Sequence, residues 1–323
     1  LFFKRNIFFY NLNFFKRGLK QNYLAALVKA ISPKVVITNI DNSIDFYIIA
    51  KIFKDKIKFI AVQSADREEM KRVSQEVAKK VFIPEFLCFS DHDKQIYKNK
   101  KFNIGKFQSI GSLRASLSKE YVRSEKININ SEQYDICLLS EPLPILNGDF
   151  SYIKNLAESS GKVAEYTHSL CKKKKLNLIF SGKRDTEIEF YKKYLKDYDY
   201  KISGSPRNEN ETYNTYLNVM RSKMVIGQIS TVLREAISFK KKILSCNFSE
   251  TPHMSTIFPG KGICSLDNVT YDLFEKRVLK ILSMSEKEYF DELTVEENFI
   301  MMSTNDTANI IRNKLKDFLE HNS

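Results

Sequence analysis

The chain has 323 residues, 52 Lys and Arg against 39 Asp and Glu, and a formal net charge of +13. With 43% hydrophobic and 12% aromatic residues it has the composition of a globular chain long enough for two domains, each with its own core. No apolar run approaches the roughly 20 residues of a spanning helix. The lysines lie on polar helix faces without the aromatic interleaving of a nucleic-acid binder, so nucleic acid is excluded as a partner. Cys88, Cys137, Cys171, Cys246 and Cys264 offer no zinc spacing and no disulfide framework; they read as reduced core residues, which points to the cytoplasm.

The opening LFFKRNIFFYNLNFFKRGL is basic and aromatic, but Lys and Arg interrupt it too often for a signal-peptide core. It has no initiator Met, so the sequence is expected to be a processed or truncated piece. Apolar spacing predicts a helix from Asn22 to Ile31, stopped by Pro33. A β-branched strand, Lys34–Ile40, runs into Asp41-Asn42-Ser43 and a helix over Ile44–Phe53. The strand Ile57–Gln63 opens into Ser64-Ala65-Asp66-Arg67 and a charged helix to Lys80. Strands at Glu85–Phe89 and Lys106–Ile110 follow, the first leading to Ser90-Asp91-His92-Asp93 and a helix, the second to Gly111-Ser112. This βα series implies a parallel sheet with right-handed crossovers. Residues 1–117 are expected to form one Rossmann-like domain.

The polar stretch 118–132 reads as a linker. A second Rossmann-like domain is expected over 133–303, with strands near Tyr134–Ser140, Leu176–Ser181, Tyr200–Ser203, Met224–Ile226 and Ile243–Cys246 and a long helix over Tyr152–Lys174. Residues 304–323 read as an amphipathic helix with Ile310, Ile311, Leu315, Phe318 and Leu319 near one face. Two such halves are expected to face each other across a cleft, with polar residues just after strands lining it.

In the second half those residues are Ser140 and Glu141; Ser181, Gly182, Lys183 and Arg184; Gly204, Ser205 and Arg207; and Gln228, Ser230 and Thr231. The stretch Met224–Ala236 (MVIGQISTVLREA) carries the strongest signal. A strand, a tight turn and a helix opening on Ser and Thr aim N–H groups and hydroxyls at one point, where the helix dipole favours a phosphate. Glu235, one turn on, is placed to reach a ribose hydroxyl. Small residues permit close backbone approach, and Lys183, Arg184 and Arg207 supply positive charge, so these loops are expected to hold a nucleotide-sugar without metal. No GxxxxGK[ST] or GxGxxG pattern occurs; Asp91-His92-Asp93, the nearest thing to a metal-binding DxD triplet, lies at the start of a helix, where Asp is a common cap, and His92, His168, His253 and His321 show no metal-ligand spacing. In the first half, Asp41, Asp66, Asp91 or His92 is placed to take a proton from an acceptor hydroxyl in an inverting transfer; a retaining one needs no such base. Asn42, Gln63 and Arg67 are the expected acceptor contacts.

MVIGQISTVLREA followed by the basic strand KKKILS (Lys240–Ser245) resembles the donor half of GT-B glycosyltransferases. Together with ITNIDNSIDF, FIAVQSADRE and IGSLR, it resembles bacterial surface-carbohydrate biosynthesis proteins and is broadly similar to transferases using CMP-activated keto sugars, Kdo or nonulosonic acids. That family's His-Pro donor motif is not present. The resemblance implies a two-domain GT-B fold, a nucleotide-sugar as co-substrate with no separate cofactor, and a surface-glycan acceptor. It also implies that the last helix packs on the first domain. A GT-B-like epimerase, a polyol-phosphate transferase and a non-catalytic scaffold of a polysaccharide assembly are the alternatives. The positive charge suits an anionic donor, and peripheral contact with an anionic inner-membrane surface is a further expectation.

Overall fold

The computed structural model describes residues 18–67, 70–71, 73–130, 133–141, 151–182, 185–198, 213–249, 258, 262–300 and 306–321. Two compact units are present: Leu1–Leu113 with Asp306–Ser323, and Arg114–Asn305.

In the first unit, helix α1 (Leu19–Ile31) precedes β1 (Val35–Thr38), α2 (Ile44–Phe53), β2 (Lys58–Val62), α3 (Gln75–Lys80), β3 (Phe82–Cys88), α4 (Asp91–Asn99) and β4 (Asn103–Ser109). The four strands form one parallel sheet in the order β1-β2-β3-β4. Alternation along the strands serves two faces. Phe59, Ala61, Ile83, Phe86 and Cys88 pack with α2 and the α4 side chain Tyr97 on one face. Ile60, Val62 and Leu87 pack with Ile110 and Ile311 on the other. Ile311 belongs to the last helix, α13 (Thr307–His321), which Lys314 also anchors by a 2.6 Å ion pair to Glu85. Burial alone would raise the Glu85 carboxyl, but Lys314 and Lys58 outweigh it and hold it below its ordinary range.

A turn at Gly111, whose φ of 84° suits only glycine without strain, leads into α5 (Leu113–Ser124). The start of the segment read as a linker is therefore helical, with Ser118 buried. The second unit continues with β5 (Tyr134–Leu139), α6 (Ser151–Lys174), β6 (Leu178–Ser181), α7 (Asp185–Lys192), α8 (Asn214–Met220), β7 (Ser222–Gly227), α9 (Thr231–Ile237) and β8 (Lys242–Asn247). It ends with β9 (Ser265–Asp267), α10 (Tyr271–Ser283), α11 (Glu286–Asp291) and α12 (Val295–Ile300). The strand predicted at Tyr200–Ser203 lies outside the described residues, and β9 carries too short a pattern to be read from sequence.

The second sheet is also parallel, in the order β6-β5-β7-β8-β9. Its central strands carry near-continuous apolar runs, as strands covered on both faces do: Met224–Ile226 and Ile243–Leu244 are fully buried in the unit's core. All five cysteines are buried and free.

Candidate functional site

Strand order fixes where a ligand crevice forms. From β5 the chain steps outward to β6, then crosses back to β7 on the opposite side, so the order reverses between β5 and β7. Such a switch point opens a crevice at the carboxyl ends of its two strands. The first sheet has no reversal among its described strands. The loops after β5 and β7 carry Ser140-Glu141 and Gln228-Ile229-Ser230-Thr231.

β7 ends on Gly227, where a Cβ would sit 3.3 Å from Leu233 and 3.4 Å from Leu139; glycine lets the turn pass close against β5. The next three N–H groups converge. Those of Gln228, Ile229 and Ser230 donate to the single oxygen Oε1 of Glu141 at 3.1, 3.1 and 3.0 Å. Glu141 is itself buried, and its own N–H donates to the Tyr191 hydroxyl on α7 at 3.1 Å. The nest expected to receive a phosphate therefore holds a carboxylate of this chain. At an effective dielectric near 20, a second anion about 4 Å away would meet a repulsion on the order of 4 kcal/mol, so a donor phosphate does not share these three amides.

The Gln228 side chain is also committed: its Oε1 accepts from Ser160 at 2.6 Å, and its Nε2 donates to Ser159 at 2.9 Å. The Ser245 hydroxyl donates to the Gln228 carbonyl at 2.7 Å. Gln228 thus ties β7 to α6 and β8 rather than facing a ligand. Ser159 and Ser160 went unnoticed in the sequence, although a Ser-Ser-Gly run inside a 24-residue helix was a signal. Glu235 differs from expectation too. It is 2% exposed, and its Oε2 accepts from the Tyr216 hydroxyl at 2.8 Å, so a ribose contact would have to displace that bond. Burial and the Glu235 charge push the Tyr216 hydroxyl up, keeping it the donor.

Ser230 is the exception. It is the N-cap residue of α9, yet its side chain caps nothing; it is 4% exposed, and its Oγ has no hydrogen-bond partner among the described residues. A buried hydroxyl without a partner costs free energy unless a ligand or water completes it. Thr231 stands beside it, half-buried. Ser140 and Ser181 are buried at the ends of β5 and β6, joined by the Ser140 N–H to the Ser181 carbonyl at 2.9 Å, with Gly182 following. Lys183, Arg184, Gly204, Ser205 and Arg207 lie outside the described residues.

At the carboxyl edge of the first sheet, Asp41 is fully buried and saturated. Its Oδ2 accepts from Arg67 Nε at 2.8 Å, and its Oδ1 accepts from Arg67 Nη2 at 2.7 Å and from the N–H and hydroxyl of Ser64, each at 3.1 Å. A carboxylate held this way is a strut between two loops, not a base awaiting a proton, and Arg67 is spent on it. Gln63 is likewise internal. It donates to Asp93 at 2.8 Å and accepts from the Phe89 N–H at 2.9 Å. Asp93, read from the sequence as a cap at a helix start, also accepts from the Ser90 hydroxyl at 2.7 Å, in a Ser90-x-x-Asp93 pair with the spacing of a helix-start box. Asn42 is exposed and Asp66 half-buried. Asp91 is exposed and accepts from the Ser109 hydroxyl at 2.8 Å. His92 is buried beside a cavity of about 270 Å³ shared with Lys71, Gln95 and Lys100. Of the expected bases, Asp66, Asp91 and His92 remain. Among the described residues, no group of three or more His, Cys, Asp or Glu is placed to hold a metal ion.

No protein-family model and no curated protein matches the sequence. Solved structures do match the fold. A putative UDP-N-acetylglucosamine 2-epimerase from Listeria monocytogenes superposes with a TM-score of 0.57 at 12% identity, over 93% of this chain and 79% of that one. The UDP-GlcNAc 2-epimerase of Neisseria meningitidis bound to UDP-GlcNAc gives 0.52 at 14% identity, over 92% and 80%. The wall teichoic acid polymerase TagF soaked with CDPG gives 0.50 at 11% identity, over 90% and 74%. The chain has the two-unit α/β fold of the GT-B class, the fold of these nucleotide-sugar and teichoic-acid enzymes.

Proposed function

We propose that the chain is a metal-independent GT-B glycosyltransferase that moves a sugar from a nucleotide donor onto a surface-glycan acceptor. The observation that carries this reading is the buried, unpartnered Ser230 hydroxyl at the switch point of the second sheet. It is a polar group in want of a partner, at the place where α/β sheets put ligands. Thr231 and the basic residues Lys183, Arg184 and Arg207 supply the further phosphate contacts. Glu141, by filling the adjacent amide nest, confines the anion to the Ser230–Thr231 side. The fold neighbours named with UDP-GlcNAc and CDPG favour a pyrimidine nucleotide, with a CMP-linked acidic keto sugar as the preferred donor. Asp66, Asp91 or His92 would take the acceptor proton in an inverting transfer. The net charge of +13 suits an anionic donor and an anionic acceptor.

The epimerase neighbours support a second reading, in which the same site holds UDP-GlcNAc and no acceptor is used. The test is thermal shift with CMP, UDP and GDP and their sugars, with and without EDTA, on the parent and on Ser230→Ala. A pyrimidine nucleotide at 100 times its Kd should stabilise the parent by about 2.7 kcal/mol, and EDTA should not matter. Conversion of UDP-GlcNAc without acceptor would establish the epimerase. Stabilisation by no nucleotide would sink both enzyme readings and leave the scaffold.

A further inference from the structure

The second sheet ends at β9, two strands beyond β7 and so apart from the switch point. Between β9 and α10 lies a cavity of about 610 Å³, a volume within the range of small-molecule sites. Leu273, Lys276, Arg277 and Lys280 line it at i, i+3, i+4 and i+7, the spacing of one helix face. Its apolar part is made by Leu266 of β9, Val269 and Leu273, and Leu273 is left 55% exposed there. Its charged part, among the described residues, has three cations, Lys276, Arg277 and Lys280, against one carboxylate, Glu292.

Those charges are not all matched. Lys280 and Glu292 form an ion pair and offset each other. Arg277 spends Nη1 on the carbonyls of Gly262, Ile263 and Ser265, at 2.6, 3.0 and 3.3 Å, and its Nη2 and Nε make no bond among the described residues. Lys276 makes neither a hydrogen bond nor an ion pair among them, whereas Glu275, its neighbour on α10, is taken by Lys173 and Lys174. Two positive charges beside an apolar wall fit a ligand that carries both an anionic group and an apolar body. A phosphate monoester, with close to two negative charges at pH 7, matches the pair. Length limits the size of the ligand. From Leu273 to Lys280 the helix rises about 10 Å, which accommodates only about three residues of extended chain. Arg277 also occupies carbonyls of the run that enters and forms β9, which closes that edge to an added strand. A small molecule therefore fits where a docked peptide does not.

We propose that this cavity binds a small phosphate monoester with an apolar body, the body against Leu266, Val269 and Leu273 and the phosphate on Lys276 and the open side of the Arg277 guanidinium. The site is separate from the one at Ser230 and independent of what the chain catalyses.

The experiment is calorimetric titration of the full chain with octyl phosphate, with inorganic phosphate, octanol and octanoate as controls. Octyl phosphate should fill one saturable site at least about tenfold more tightly than each control, and its binding should weaken with salt. Lys276→Glu and Leu273→Asn should each weaken it about tenfold or more while melting as the parent does without ligand, because both side chains are exposed. If Leu273→Asn fails to fold, Lys276→Glu and the milder Lys276→Gln carry the test, since Lys276 has no bond in the fold to lose. Ser230→Ala should leave the titration unchanged. No saturable binding of octyl phosphate would overturn the proposal, as would variants at Lys276 that bind like the parent. Equal binding of inorganic phosphate or of octanol would show that one half of the ligand suffices, equal binding of octanoate would refute the match of two charges, and loss of binding in Ser230→Ala would place the ligand at the switch point; each of these also overturns it.

Discussion

Glu141 and the Gln228–Ser230 turn meet at the carboxyl ends of the neighbouring parallel strands β5 and β7, and the meeting decides what each can do. Three amides on one carboxylate oxygen form a charge-assisted cluster, so removing the acceptor should cost more than removing the charge. Glu141→Ala is expected to lower stability by about 2–4 kcal/mol in urea unfolding, and Glu141→Gln, which keeps an acceptor, by about 1–2. Equal losses in the two variants would mean that the amides are satisfied by something else. Ser230→Ala should leave unfolding within about 0.5 kcal/mol of the parent, because the hydroxyl makes no bond among the described residues. A loss near 1 kcal/mol would show it to be a helix cap. The strand–turn–hydroxyl pattern put Ser230 at a strand end from sequence alone. The pairing of Glu141 with amides nearly ninety positions away was not legible, because a carboxylate after one strand and free N–H groups after another show their relation only once the strands are neighbours. The internal bonds of Asp41 and Gln63 were hidden for the same reason: polar residues after strands look alike whether they face a ligand or one another.

At the scale of elements, the strand KKKILS was legible as a strand but not as one covered throughout. Every residue of β8 is buried, Lys242 included, and its Nζ donates to the carbonyls of Ile281, Leu282 and Met284 at 2.7, 3.1 and 2.7 Å. Those carbonyls end α10, where a helix leaves acceptors without partners. Lys242→Met should therefore cost about 1–3 kcal/mol of stability, with Lys242→Arg losing less; a neutral Met variant would show that water caps the helix equally well. Helix α6 carries a pH response. Burial and the nearby Lys172 hold His168 below its ordinary value of 6.5. Between its folded value and 6.5 the unfolded chain binds a proton that the folded chain does not, so stability falls as the pH drops through that window. His168→Gln should flatten this part of the stability–pH curve. An unchanged acid slope in that variant would assign the response to other groups.

For the molecule as a whole, the two units differ in how the chain builds them. The second, Arg114–Asn305, is continuous, whereas the first takes Leu1–Leu113 and then Asp306–Ser323. The last helix supplies one layer of the first unit's core: Ile311 is 7% exposed against Ile60, Val62, Leu87 and Ile110, and Thr307 donates to the Ile110 carbonyl. An apolar stripe on a terminal helix was readable at 3.6-residue spacing, but a stripe names no partner; the alternation in β2 and β3 that leaves one face of the first sheet needing cover is the complementary half of the signal. The consequence can be measured with fragments. Residues 114–305 expressed alone should fold with a cooperative melt, because their core needs nothing from outside. Residues 1–113 alone expose the face that α13 covers and should aggregate or bind a hydrophobic dye, and joining residues 306–323 through a flexible linker should restore a cooperative melt. Within the joined fragment, Ile311→Ala should cost about 2–4 kcal/mol by the cavity it leaves. A soluble, cooperatively melting 1–113 fragment would show that the first sheet closes its core without α13, and Ile311→Ala would then be nearly silent.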